Sequence, residues 1–260
     1  MSRATQAELL EQRISENIAS QEIDLATWIF EQIQVRPGFR VLELCCGTGG
    51  QTLSLLKHVG KSGQVVALDI SKSALDTLTS KAKAQNHDQL TAIEASIDSF
   101  SAALRAAGAQ PGFDLVFCAY GLYYAADAQK TLQEARQWLK PKGSLVIVGP
   151  FGPNNKPLFD LLRRSGVDLA KPVTFSSERF MYEIVLPWAA ENFEQLSVRT
   201  MVNRVRWATP ERVLNYWQNT TFYDAEKRSR FEELLHSHFI KHGEFVNQKW
   251  VMLAEISHGR

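Results

Sequence analysis

The sequence predicts an α/β fold built on a doubly wound, mostly parallel sheet of seven strands, with an antiparallel edge strand and a helical cap. The first observation is an alternation between residues 39 and 150, where short apolar runs alternate with segments of helical length. This alternation is typical of parallel strands joined by crossover helices. The second observation is a change of pattern after residue 150, where two long strand-like segments are separated by helical ones.

Five apolar runs of the alternating region are predicted to be strands, at residues 40–44, 64–68, 90–94, 113–119 and 144–148. The segments between them have helical length and periodicity, at residues 50–58, 72–85, 99–107 and 128–139. Turn residues agree with this division. Pro37 and Gly38 precede the first strand, and residues 141–143, Pro-Lys-Gly, lead into the fifth.

The two ends of the chain complete the predicted architecture. Apolar residues before the first strand, among them Ile14, Ile18 and Leu25, recur at helical spacing and predict one or two amphipathic helices. Residues 192–207 and 245–256 are predicted to be long strands, separated by helical segments between residues 210 and 242. We therefore expect three regions: an N-terminal helical cap at 1–34, a core at 35–150, and a sheet-completing segment with a helical insertion at 151–260.

Charge and cysteine content argue against several classes of function. The formal net charge is +1 and no run of five or six like charges occurs, so neither nucleic acid nor a membrane surface is expected as a partner. The longest apolar stretch, about a dozen residues, is too short to cross a bilayer. The three cysteines, Cys45, Cys46 and Cys118, do not suggest a disulfide framework, and they predict a reducing, cytoplasmic location. No metal site is expected, because no spacing typical of metal ligands occurs.

The most informative stretch is residues 41–50, with the sequence VLELCCGTGG. A predicted strand ends there and a glycine-rich turn opens a helix, which makes backbone N–H groups accessible to a ligand. Asp69 follows at the tip of the second strand, about 20 residues on, where an acidic side chain can accept hydrogen bonds from ribose hydroxyls. Together these features predict a cofactor that contains adenosine.

The details of the turn favour a cofactor with a positive charge over a dinucleotide. A dinucleotide site usually has a third glycine three positions after the second, and this sequence has Thr52 three positions after Gly49. Glu43 lies inside the strand just before the turn. Its carboxylate is unsuited to an anionic pyrophosphate and suited to an ammonium group.

At these residues the sequence resembles the class I S-adenosylmethionine (SAM)-dependent methyltransferases, particularly the small-molecule branch called type 11, whose core is Rossmann-like. The resemblance covers residues 35–150. Its motifs, in order, are LELCCGTG at 42–49, LDIS at 68–71, FDLVF at 113–117 and LKPKG at 139–143. Four matches in the right order are far more specific than any one of them.

The resemblance implies SAM as the cofactor and suggests how it is held. Gly47 and Gly49 would approach its methionine part, and Glu43 would hold the loop or the amino group. Asp69 would accept hydrogen bonds from the ribose hydroxyls, and Ile70 would pack on the adenine face.

Three further cofactor contacts are implied in the same way. Backbone groups near Ser96 and Ile97 would read the adenine edge, and Cys118 would lie against the methionine segment. The family commonly has an aspartate where this sequence has Ser96. Asp98, two positions later, is therefore an alternative contact.

The expected activity is transfer of a methyl group from SAM to an oxygen or nitrogen of a small organic molecule, in biosynthesis. No catalytic residue is assigned. Tyr123 and Tyr124, after the fourth strand, are candidates for lining the acceptor pocket, and a purely structural role stays equally open. A phenol with an ordinary pKa near 10 is a poor general base at neutral pH. The insertion within 151–260 is expected to bind the acceptor.

Other functions remain open at this point. The alternatives are a protein or tRNA methyltransferase, a non-catalytic SAM-binding regulatory protein and, least favoured, a nicotinamide dehydrogenase. The expected partner is the small-molecule methyl acceptor, and a homodimer is left open.

Overall fold

The computed structural model describes residues 7–258, which contain seven strands and eleven α-helices. The strands are β1 (Arg40–Leu44), β2 (Gln64–Asp69), β3 (Leu90–Glu94), β4 (Phe113–Ala119), β5 (Leu139–Pro150), β6 (Gln195–Trp207) and β7 (Phe245–Ser257). The helices are α1 (Ala7–Ile18), α2 (Leu25–Gln32), α3 (Thr52–Val59), α4 (Lys72–Ala84), α5 (Phe100–Ala106), α6 (Ala128–Trp138), α7 (Lys156–Arg164), α8 (Lys171–Glu178), α9 (Leu186–Asn192), α10 (Pro210–Gln218) and α11 (Arg228–His242). Short 3-10 turns lie at Ile97–Ser99, Leu122–Tyr124 and Ala225–Lys227, and a π-helical turn lies at Met181–Val185.

The strands form one sheet in the order β3-β2-β1-β4-β5-β7-β6. The first five strands in this order pair in parallel, and the pairing becomes antiparallel toward the β6 edge. In β1, residues 41–44 are all buried, as expected for a central parallel strand covered by helices on both faces. The chain leaves β1 for β2 on one side, and β4 lies on the other. Ligands of open α/β sheets bind at such a switch point, outside the carboxyl ends of the strands.

The predicted fold class is confirmed. β1, β3 and β4 have the predicted bounds, and the two long C-terminal strands form where they were expected. The N-terminal periodicity corresponds to two helices, α1 and α2. Among the residues that the structure describes, no helix is both long and apolar enough to span a membrane.

The start of β5 differs from the prediction. We expected a turn at residues 141–143 and a strand from residue 144, but β5 begins at Leu139. The register shifts within the strand, where Phe113 pairs with Leu139 and Leu115 pairs with Ser144. A Cβ on Gly143 would lie 2.8 Å from the carbonyl oxygen of Phe113, so only glycine allows this close approach. The Pro-Lys-Gly segment is therefore an irregular part of β5.

The chain divides into two compact units. Unit 1 contains the described residues up to Asp24, together with Pro150–Phe180 and Thr200–Val251. Unit 2 contains Leu25–Gly149, Met181–Arg199 and the described residues from Met252 onward.

Each unit has its own apolar residues around which it is built. Unit 1 is organised around the fully buried Trp207, Trp217 and Phe231. Unit 2 contains β1 to β4, and its buried residues include Leu42 and Phe117. The predicted cofactor residues all fall in unit 2. The proposed cap role of the N-terminal segment stays a prediction.

Candidate functional site

A tight backbone loop follows β1. Within it Cys45, Gly47 and Gly49 adopt left-handed conformations, with φ of 58°, 54° and 90°. The Cys46 N–H donates to the carbonyl of Leu68 at 2.9 Å, and the Gly49 N–H donates to the carbonyl of Cys46 at 3.1 Å. We refer to residues 45–49 as the glycine loop. These bonds anchor the loop to β2 and turn it sharply toward α3.

Gly49 is required by packing as well as by its backbone angle. A Cβ at this position would lie 2.4 Å from Cδ1 of Leu78 on α4, far inside van der Waals contact. The neighbouring Gly50 differs, because no described atom lies within 4 Å of a Cβ built there. The loop therefore presses against α4 at one specific position.

Asp69 joins the end of β2 to the glycine loop. Its Oδ2 accepts a hydrogen bond from the Gly47 N–H at 2.8 Å, and its Oδ1 accepts one from the Ser71 N–H at 2.9 Å. Each carboxylate oxygen can accept a further bond from a ligand. Asp69 thus positions the loop, in addition to the ribose-binding role that the sequence predicts.

Glu43 is the most unusual charged residue of the site. It is 2% exposed, and its Oε2 has no hydrogen-bond partner among the described residues. Burial raises the pKa of Glu43 to about 8; the Thr52 hydroxyl lowers this pKa in part, and the charge of Asp69 raises it. A buried carboxylate with one oxygen left without a hydrogen bond is costly when ionised. A positively charged ligand group nearby would stabilise the ionised form.

The loop after β4 approaches the glycine loop closely. The thiols of Cys45 and Cys118 are hydrogen-bonded, and this bond, together with burial, raises the pKa of Cys45. A Cβ on Gly121 would lie 2.3 Å from Cβ of Cys45 and 3.2 Å from Sγ of Cys118. A thiol that stays protonated is a poor nucleophile, so this arrangement favours a packing role for Cys45.

The residues after β2 and β3 have mixed environments. The side chain of Ile70 is 55% exposed, as a surface that contacts a ligand would require. The hydroxyl of Ser96 accepts a hydrogen bond from the Asp98 N–H, and Asp98 Oδ1 accepts one from the Ala126 N–H at 2.8 Å. Ile97 is buried. Any adenine contact here would therefore rely mainly on backbone groups, and that contact stays a prediction.

Tyr123 and Tyr124 lie in the 3-10 turn that follows β4. Their ring centroids are 4.7 Å apart, and Tyr124 is 51% exposed whereas Tyr123 is partly buried. Their position beside the carboxyl ends of β1 and β4 agrees with pocket lining.

Three features of the site were missed by the sequence reasoning. Thr52 was noted only because it occupies the position where a dinucleotide site usually has its third glycine, although its hydroxyl is buried close to Glu43. The left-handed conformation of Cys45 and the close approach of Gly121 had no signal in the sequence, because both depend on how two loops of neighbouring strands pack.

Comparison with known proteins places this site in a family context. A family model described as a methyltransferase domain matches residues 41–143, which include the glycine loop, β2 to β4 and all of β1 except Arg40. A demethylmenaquinone methyltransferase of Lactobacillus johnsonii is 33% identical over 126 residues, covering 48% of this chain and 50% of the relative. A 2-phytyl-1,4-naphtoquinone methyltransferase of Trichormus variabilis is 34% identical over 122 residues, covering 46% and 51%. The chain thus spans about half the length of the curated relatives it matches.

Solved structures share the fold over most of the chain. The YcgJ protein of Bacillus subtilis has a TM-score of 0.60 at 14% identity, covering 90% of this chain and 98% of that one. A putative methyltransferase of Bacillus halodurans has a TM-score of 0.58 at 14% identity, covering 89% and 97%. At these identities the likeness concerns the fold alone.

Proposed function

We propose that this chain, whose residues 41–143 match the methyltransferase domain model, is a SAM-dependent methyltransferase that transfers a methyl group from SAM to an oxygen or nitrogen of a small organic molecule. The observation that carries the proposal is the pairing of the glycine loop with the buried Glu43 carboxylate. A loop of this shape offers backbone donors, and a carboxylate beneath it favours a cation. SAM has a carboxylate, an ammonium and a sulfonium group.

The residues of unit 2 fit this cofactor. Glu43 Oε2 has no hydrogen-bond partner within the described chain, so it is available to the ammonium group directly or through water. Gly47 and Gly49 leave the backbone accessible to the methionine part. Asp69 can accept further hydrogen bonds from the ribose hydroxyls, and the exposed Ile70 provides an apolar surface for the adenine.

When bound, SAM supplies a methyl group already activated by its positive sulfur. The protein's own contribution is alignment of the acceptor with that methyl group, which can lower the barrier by roughly 7–11 kcal/mol. We propose that Asp69 fixes the glycine loop through Gly47, so that the cofactor is held in one orientation. Tyr123 and Tyr124 are proposed to line the acceptor side and to orient its polar group by hydrogen bonding.

A small molecule is the proposed acceptor class. The relatives named for demethylmenaquinone and 2-phytyl-1,4-naphtoquinone support this class over protein or tRNA. The net charge of +1 supports it as well, because nucleic-acid substrates usually require a strongly basic surface. We further propose a cytoplasmic location, based on the cysteine content.

The test is a methyl-transfer assay with unfractionated substrates. The purified protein is incubated with methyl-labelled SAM and either a small-metabolite extract, total protein or total tRNA. The proposal predicts label in the metabolite fraction, with a mass increase of one methylene group in the product. Label in protein or tRNA would support the alternative enzymes, and tight SAM binding without product in any fraction would support a regulatory protein.

A further inference from the structure

A lysine of unit 1 is partly buried with no carboxylate in contact with it. Lys249 lies on β7, and among the described residues its ammonium group forms a hydrogen bond with the hydroxyl of Tyr216 and no ion pair. Other cations of the same unit differ, since Lys156 and Arg206 each contact a carboxylate at 2.7 Å. An ammonium group that has lost part of its hydration is stabilised by a negative charge, and the described chain supplies none in contact with Lys249.

Tyr216 of α10 holds this ammonium group in place. The Nζ of Lys249 lies 2.6 Å from the Tyr216 hydroxyl and 4.6 Å from the centroid of its ring. The phenol is itself fixed by packing, because Tyr216 is buried and its ring centroid lies 5.0 Å from that of Trp207. An ammonium group has three N–H donors. One of them donates to Tyr216, so the others can donate to a ligand.

A second donor beside Tyr216 lacks an acceptor. The indole N–H of Trp207 is fully buried, and it has no hydrogen-bond partner among the described residues. A buried N–H group without an acceptor is costly. We refer to Trp207, Tyr216 and Lys249 as the lysine cluster. Since its unsatisfied groups are donors and one of them is a cation, the group that would stabilise the cluster is an oxygen with a negative charge.

The lysine cluster lies on the part of β7 that runs past the end of β5. The carbonyl of Trp250, the residue after Lys249, accepts a hydrogen bond from the Phe151 N–H at 3.2 Å. The rings of Trp250 and Phe151 also lie 5.6 Å apart. Phe151 directly follows Pro150, the last residue of β5. Ligands of open α/β sheets bind outside the carboxyl ends of the strands, so the lysine cluster lies at an edge where a substrate is expected.

We propose that the lysine cluster binds an ionised oxygen group of the methyl acceptor, a carboxylate or an acidic hydroxyl. This inference rests on the proposed methyl-transfer function, and it narrows the acceptor from a small organic molecule to one that carries a negative charge. Lys249 supplies one positive charge together with N–H donors, which matches a single anionic oxygen group. Tyr216 is a positioning residue, because it sets the place of the ammonium group.

The experiment is calorimetric titration of the full-length protein with benzoate, 4-nitrophenolate and benzamide at low ionic strength, in mildly alkaline buffer. The two anions should bind, and benzamide, which is neutral and close to benzoate in size, should bind at least about tenfold more weakly. Tighter binding of benzoate would assign a carboxylate, and tighter binding of 4-nitrophenolate would assign an ionised hydroxyl.

Three variants test the roles of the two polar residues. Lys249→Met should weaken anion binding about tenfold, because it removes the charge and keeps an apolar stem. Lys249→Arg keeps the charge and should retain most of the affinity. Tyr216→Phe keeps the ring and should weaken binding about two- to fivefold, because the ammonium group loses the hydrogen bond that positions it.

The matched control is Lys241→Met, which removes the same charge from an exposed lysine of α11 in the same unit. It should change anion affinity less than about twofold, as expected for a screened charge. Equal losses in Lys249→Met and Lys241→Met would overturn the proposal. So would benzamide binding as tight as benzoate binding, or no measurable binding of either anion to the folded protein.

A second readout separates this proposal from the proposed function. With a small-metabolite extract and methyl-labelled SAM, Lys249→Met should need several-fold more extract than the wild type for half-maximal labelling, whereas its affinity for SAM should be unchanged. Product formed equally well by Lys249→Met and the wild type would overturn the acceptor role of the lysine cluster. No labelled product with the wild type would contradict methyl transfer itself, and the titrations would still decide whether the lysine cluster binds an anion.

Discussion

Replacing Glu43 by glutamine should change how the stability of the ligand-free protein depends on pH. Burial raises the pKa of Glu43 from 4.5 to about 8 in the folded chain, whereas in the unfolded chain the carboxyl is exposed to water and keeps its ordinary pKa. A carboxyl whose folded pKa is raised stabilises the fold fully below the unfolded pKa. That contribution is lost as the pH rises toward the folded pKa.

The size of the effect follows from the two pKa values. Between them the free energy of unfolding falls by about 1.4 kcal/mol per pH unit, because only the unfolded chain releases the proton. The wild type should therefore lose about 3–4 kcal/mol of stability between pH 5 and pH 8 through this residue. Glu43→Gln keeps the size of the side chain and cannot ionise, so it should lack this loss.

The assay is urea unfolding of both proteins at a series of pH values, compared as the difference in unfolding free energy. The two proteins share all other titrating groups, so the contributions of those groups to the pH dependence of stability cancel in the difference. Glu43→Gln should become the more stable of the two as the pH rises from 5 to 8. A difference that stays constant across this range would refute the argument that Glu43 is held neutral by burial.

Three further predictions concern the same site and the N-terminal segment. Asp69→Ala should weaken SAM binding by roughly 1–3 kcal/mol in calorimetry. It should also lower the stability of the ligand-free protein, because two loop hydrogen bonds are lost. Unchanged affinity would show that the carboxylate is only structural. Gly49→Ala should reduce the free energy of unfolding by about 1–3 kcal/mol in urea unfolding, because Gly49 has a positive φ and an added Cβ would contact Leu78. Gly50→Ala is the control and should be nearly neutral. Equal effects of the two substitutions would contradict the packing argument. Removing residues 1–20 should raise the Michaelis constant for the acceptor while SAM affinity changes little; equal losses in both would mean that the segment only covers the core.

Much of the fold was predictable because its signals are local. Parallel strands buried on both faces give nearly continuous apolar runs, which is why β1 and β4 were located with their bounds. The start of β5 was missed because Pro141 and Gly143 are ordinary turn residues. Their place inside a strand depends on the register with Phe113, which the sequence alone does not contain.

The candidate site was predictable in its positions and much less so in its interactions. A glycine-rich turn and an acidic residue after neighbouring parallel strands must meet at one edge of the sheet, so Gly47 and Asp69 were expected together. The sequence did not predict that both carboxylate oxygens of Asp69 accept hydrogen bonds from backbone N–H groups, because these bonds depend on the exact path of the loop.

The central claim, that unit 2 binds SAM through the glycine loop and a buried carboxylate, is tested most directly by calorimetric titration of SAM and NAD into the same wild-type protein. SAM is expected to bind at about micromolar affinity, and NAD is expected not to bind. Binding of SAM should release a proton near pH 7, because the cofactor's positive charge lowers the pKa of Glu43. Proton release is measured by comparing buffers with different ionisation enthalpies, and it should disappear in Glu43→Gln. Binding of NAD more tightly than SAM would contradict the account.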